Sequence, residues 1–120
     1  MIIAVSSQGQ ELTSPVDPRF GRAQYFIIYN TDNDSFEAIS NDQNVRAAQG
    51  AGIQASETVA RQKPEIVISG NFGPKAHHAL TAVGIKTALF SDGTVNDAIE
   101  LAKTNKLQFS DSANVEGHWS

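Results

Sequence analysis

Residues 65–90 read Glu-Ile-Val-Ile-Ser-Gly-Asn-Phe-Gly-Pro-Lys-Ala-His-His-Ala-Leu-Thr-Ala-Val-Gly-Ile-Lys-Thr-Ala-Leu-Phe. Glu65–Ser69 is an apolar run of the length of a buried strand. The period then changes. Ala76, Ala79, Leu80 and Val83 stand at i, i+3, i+4 and i+7, one face of an amphipathic helix. Pro74 sits where a first-turn proline is tolerated, and Gly84 where a helix C-terminus is expected. Ile85–Phe90 is a second short strand. Strand, helix and strand in so short a stretch make a βαβ unit, whose right-handed crossover places its two strands parallel.

Working outward, Ile53, Ser56, Val59 and Ala60 predict an earlier helix. Thr94 with Asp97 three residues later forms a capping-box-like start, and Val95, Ala98, Ile99 and Ala102 supply the face of a last helix. Ile2–Val5 opens the chain as a short buried strand. Tyr25–Asn30 and Ser35–Ser40 are β-type runs around Thr31-Asp32-Asn33-Asp34, a hairpin turn. The order β-β-β-α-β-α-β-α predicts an α/β fold: a five-stranded mixed sheet, strand order 3-2-1-4-5, flanked by three helices. Residues 1–105 form one domain, and residues 106–120 read as an irregular tail.

Composition narrows the function. A chain of 120 residues buries about two-thirds of its unfolded surface and holds a core without disulfides. Nine basic against 13 acidic side chains, net charge −4, argue against a nucleic-acid binder. With no cysteine there is no disulfide framework, no thiolate nucleophile and no cysteine-ligated iron–sulfur centre. No apolar run is long enough to span a bilayer, and the first residues lack a basic leader. The expectation is a soluble cytoplasmic protein.

The predicted topology brings loops 7–24, 41–50, 70–75 and 91–93 to the carboxyl edge of the parallel strands, where open α/β sheets place ligands. Three helix N-termini point the same way, with N–H donors and positive dipole ends. Arg19, Arg22, Arg46 and Lys75 lie in the first three loops, against Glu11, Asp17 and Asp42. That tilt predicts an anion site. Within it, Gly21 is either a close approach to a ligand between forked arginine donors, or the turn of a loop anchored by Phe20. Gly50-Ala51-Gly52 either admits a ligand to a helix terminus or serves tight helix packing; it lacks nucleotide-binding spacing. Gly70-Asn71-Phe72-Gly73-Pro74-Lys75 is either an anion nest or an ordinary strand–helix turn.

Other motifs carry less. His77 and His78 diverge by about 100° on a helix and could hardly share a metal. His118, beside Trp119, is either a lid or part of an unanchored terminus. Asp32-Asn33-Asp34 is no calcium loop, because Glu37 stands where the turn demands glycine.

Phe20-Gly21-Arg22-Ala23 before an aromatic strand, Gly50-Ala51-Gly52-Ile53, and Gly70-Asn71-Phe72-Gly73-Pro74-Lys75-Ala76 occur in one order, extended by Gly84-Ile85-Lys86 and Thr94-Val95. Together they resemble the dinitrogenase iron–molybdenum cofactor biosynthesis family, over residues 1 to about 105. The resemblance implies a ribonuclease H-like fold and non-enzymatic binding of cofactor or its metal–sulfur precursors. The chain is similar to the orange proteins of sulfate-reducing bacteria, a related group that carries a molybdenum–copper sulfide cluster without covalent attachment. Many members have histidine before their Phe-Gly, where this chain has Arg19, which has no lone pair for a metal. Outer-sphere binding of an anionic cluster is the better picture. His77 and His78 remain candidate ligands.

The resulting expectation is a carrier of a molybdenum–copper or iron–molybdenum sulfide cluster. Arg19, Arg22 and Lys75 would balance charge, Gly50–Gly52 and Gly70–Gly73 (with Asn71) would give amide donors, and Phe20 and Phe72 would form apolar walls. The alternative is a cofactor-free module docking a partner such as a P-loop ATPase. Nuclease chemistry lacks carboxylates at the carboxyl ends of the first and fourth strands, and an enzyme on a small phosphorylated substrate lacks a candidate base or nucleophile.

Overall fold

A computed structural model of the chain describes residues 1–42 and 50–110. One mixed sheet runs through it, in the order β3-β2-β1-β4-β5-β6. The strands are β1 (Ile2–Ser7), β2 (Tyr25–Asn30), β3 (Ser35–Ser40), β4 (Ile66–Ser69), β5 (Lys86–Leu89) and β6 (Gln108–Phe109). Among the described residues the helices are α1 (Ala51–Ala60), α2 (Pro74–Ala82) and α3 (Val95–Lys103). The first five strands lie in the predicted order. β1 pairs antiparallel with β2, and β4 and β5 follow it in parallel, Val5 beside Ile68 and Ser69 beside Leu89.

The sheet is covered on both faces, which is why β1 and β4 read as unbroken apolar runs rather than as alternation. Ile3, Val5, Ile27 and Ile68 pack with Val95, Ala98, Ile99 and Ala102 of α3. Ala4, Phe26, Ile28 and Val67 pack on the opposite face with Ala55 and Val59 of α1 and Ala76 and Leu80 of α2. The Thr94–Asp97 capping box is present in both directions, at 3.0 and 3.1 Å.

Three local readings change. β6 joins the sheet inside the stretch read as irregular; two exposed residues, Gln108 and Phe109, are too few to show a period. The buried face of α1 runs through Ala51, Ala55 and Val59, so Ile53 projects outward, 40% exposed. On α2, Val83 lies past the helix end and is exposed.

Candidate functional site

At the carboxyl edge the loops are tied to one another. Ser6, next to last in β1, and Ser69, the last residue of β4, are buried and share a hydrogen bond of 2.8 Å between hydroxyls. The Ser6 hydroxyl also contacts the Asp17 carbonyl oxygen at 2.7 Å, with the Ser69 hydroxyl 3.4 Å from it. The Asp17 N–H donates to the Ser6 carbonyl at 2.9 Å. Loop 8–24 is therefore clamped onto the sheet where two parallel strands end. Asn41, fully buried, holds the same loop from the side, its amide donating to the carbonyls of Ala23 at 2.9 Å and Gly21 at 3.3 Å.

The clamp sets out residues 19–22 between two helix starts. Arg19 forms a parallel bridge with Asn71, and the Phe20 N–H donates to the Asn71 carbonyl at 3.4 Å. On the other side Gly21 lies on the first turn of α1. A Cβ added to it would stand 3.0 Å from the Gly52 nitrogen and 3.1 Å from its Cα. At Gly70 an added Cβ would be 2.6 Å from the Pro18 Cα. These glycines permit close approach of loop to loop, not of ligand to loop. Gly50 differs: φ is +78°, and its Cβ direction is open.

Phe20 and Phe72 are 1% and 0% exposed, so neither is an open wall for a ligand. Their ring centres are 5.2 Å apart, and Phe20 lies at the same distance from Phe26. Aromatic rings of this area are worth more in the core than at a wet edge. They support both loops from beneath. The exposed apolar side chain in the first turn of α1 is Ile53, whose spacing with Ser56, Val59 and Ala60 predicts an inward face.

Of the three expected helix N-termini, that of α3 is closed. Its Val95 and Asn96 N–H groups donate to the carbonyls of Ser14 and Leu12, each at 2.9 Å, and Asp97 adds a negative charge to its first turn. The starts of α1 and α2 have neither a side-chain cap nor an acidic residue in the first turn. Their positive ends remain uncompensated by carboxylate.

Arg19 is half-exposed, with its Nε 3.9 Å from the carboxylate of Asp17. That carboxylate, only 4% exposed as a residue, also accepts the Arg19 N–H at 2.9 Å. Burial pushes the Asp17 carboxyl above its ordinary range, opposed by the Arg19 N–H and guanidinium and by the Gln24 N–H. By charge alone Asp17 only opposes the nearby cations. The signal for its role was the Asp-Pro-Arg spacing, which suits a side chain bonding the N–H two residues on. Arg22 is half-buried and Lys75 exposed. His77 turns away from the glycine loops, its Nε2 3.5 Å from the Ser110 carbonyl beside β6, and His78 is exposed on α2. Among the described residues no group of three His, Cys, Asp or Glu could hold a metal ion. Arg46 and His118 lie outside the described residues.

Fold and edge together define a small α/β domain with cationic side chains and two uncapped helix starts at the carboxyl end of its parallel strands. Residues 1–105 match the family model described as Dinitrogenase iron-molybdenum cofactor, and the chain belongs to that family. Among solved structures it is similar to the apo form of the orange protein from Desulfovibrio gigas, at 32% identity over 95% of this chain and 96% of that one, TM-score 0.92. It is also similar to a Thermotoga protein provisionally assigned as NifB, at 32% identity over 95% and 98%, TM-score 0.80. A Methanocaldococcus jannaschii protein provisionally assigned as a dinitrogenase shares the fold, at 16% identity over 93% and 96%, TM-score 0.70. No curated protein matches. No helix among the described residues is long and apolar enough to cross a membrane.

Proposed function

We propose that this chain is a non-enzymatic carrier of an anionic metal–sulfur cluster, of the molybdenum–copper or iron–molybdenum sulfide type, held non-covalently at the carboxyl edge of the sheet. One observation carries the reading: residues 19–22 are wedged between the uncapped start of α1 and the loop that opens α2. Guanidinium, ammonium and amide groups are what this edge offers. Guanidinium, ammonium and N–H groups have no lone pair for a metal, and all donate hydrogen bonds or positive charge to a sulfide surface.

Such donors suit a cargo whose metals are already satisfied by their own sulfides. Arg19, Arg22 and Lys75 balance its charge, the backbone around Gly50–Gly52 and Gly70–Gly73 supplies further donors, and Ile53 offers an apolar contact. Binding without a protein–metal bond is reversible, as carriage to an acceptor protein or ATPase partner in the cytoplasm requires. The family match and the likeness to the orange protein support a cofactor-binding or carrier role.

The test is to map amide shifts on the 15N-labelled chain loaded anaerobically with thiomolybdate and copper. Shifts should cluster at residues 19–22, 50–53 and 70–76. Shifts confined to the 31–34 hairpin or to α3 would refute the assignment.

A further inference from the structure

A wide cavity among the described residues lies at the opposite end of the sheet from the glycine loops. It encloses about 770 Å³ between the C-termini of α1 and α2 and the starts of β4 and β5. Of the four large apolar side chains exposed among the described residues, two border it, Val83 at 63% and Phe109 at 48% exposure. Lys63 and Lys86 line it, Lys86 with its Nζ 5.6 Å from the centre of the Phe109 ring, and Glu65 is the one acid among its lining residues. Arg61 and Lys106 flank lining residues in sequence. Four of the chain's nine cations thus gather at the amino edge of a protein of net charge −4.

Lysine or arginine beyond a helix C-terminus is ordinary complementation of the dipole. That explains Arg61 and Lys63 after α1 and Lys106 after α3. It does not explain Lys86, which is on a strand, nor two apolar side chains left open beside a cavity. Among the described residues these four cations form no ion pair, whereas Arg19, Lys103 and the N-terminal amine each face a carboxylate.

We propose that this amino-edge groove docks an acidic segment of a partner protein, with an apolar side chain seated against Val83 and Phe109 and carboxylates facing Lys63 and Lys86. Apolar anchors within a charged rim are the usual anatomy of a protein interface. Charge complementarity selects an acidic occupant over a second copy of this chain, whose matching groove carries the same sign. Docking here leaves the carboxyl edge open, so a partner can hold the protein while cargo enters or leaves.

The experiment titrates the 15N-labelled full chain with a blocked heptapeptide of Asp and Glu around one central phenylalanine. Shifts are expected at the amides of Lys63, Val83, Lys86 and Phe109, with affinity falling as salt rises. The K63E/K86E double variant changes two exposed side chains, so its melting temperature should hold while affinity drops about tenfold. Three results would overturn the proposal: no shifts at millimolar peptide, equal affinity for the double variant, or shifts confined to residues 19–22 and 70–76. Binding only after truncation at Ser110 would also overturn it, by making the chain's own residues 111–120 the occupant.

Discussion

Gly70→Ala is the sharpest probe of how the carboxyl edge is built. The added methyl would stand 2.6 Å from the Cα of Pro18, 2.8 Å from its carbonyl oxygen and 3.0 Å from its Cβ. The two nearest atoms are backbone, so no rotamer change relieves the contact. Either the end of β4 or the Asp17–Arg19 segment must move by about 1 Å to reach ordinary van der Waals distance. Overpacking of this kind costs about 1–3 kcal/mol. With an unfolding entropy of about 2.1 cal/mol/K per residue, the 120-residue chain should lose ~8 °C of melting temperature for ~2 kcal/mol. Thermal unfolding followed by circular dichroism reads this directly. Adding Pro18→Ala should recover little, because the Cα and carbonyl of residue 18 remain. Cluster retention should fall as well, since the displaced segment carries Arg19. A Gly70→Ala protein melting within about 1 °C of wild type, or fully rescued by Pro18→Ala, would show that the loops are not in the contact described.

Phe20→Ala should cost about 3–5 kcal/mol, the range for a fully buried aromatic, and lower the melting temperature by more than about 10 °C; a small change would place the ring outside the core. Asp17→Asn keeps an oxygen for the Arg19 N–H and removes a buried charge. Because the folded pKa of Asp17 is raised, its stabilising contribution is present at low pH and lost as pH rises through that folded value. Asp17→Asn should therefore melt higher than wild type at pH 7 and equal to it near about pH 3; the reverse order would contradict the burial. Asp34 has the opposite sign. Its carboxyl accepts a hydrogen bond from the Tyr29 hydroxyl and pairs with Lys103, which lowers its pKa, so its contribution exists above about pH 4 and fades as pH falls further. Asp34→Asn should flatten the acid limb of the melting-temperature profile.

The fold was legible wherever a run of residues answered to a single physical demand. Ile66–Ile68 had to be buried on both faces, Val95, Ala98, Ile99 and Ala102 had one helical face to fill, and Thr31–Asp34 had to turn. β6 was not legible, because its two residues gain their pairing from Ala88 and Leu89, which lie far away in sequence. At the site, the sequence located the loops but not the direction of the groups within them. Phe20 and Phe72 look alike whether they face solvent or core. Gly21 and Gly70 signal close approach without saying what approaches. The α3 terminus looked available until Leu12 and Ser14 folded back on it, and Asp17 looked like a stray acid until Ser6 and Ser69 fixed its backbone. In each case the missing information was a contact between distant segments.

The most direct measurement is the metal-to-protein ratio after anaerobic loading with thiomolybdate and copper and passage through a desalting column, for wild type and Arg22→Ala side by side. Retention by charge and hydrogen bonds predicts stable loading of the wild type and a much lower ratio for Arg22→Ala, with melting temperatures changed far less than retention. Equal ratios in the two proteins, or no metal retained by either, would contradict it.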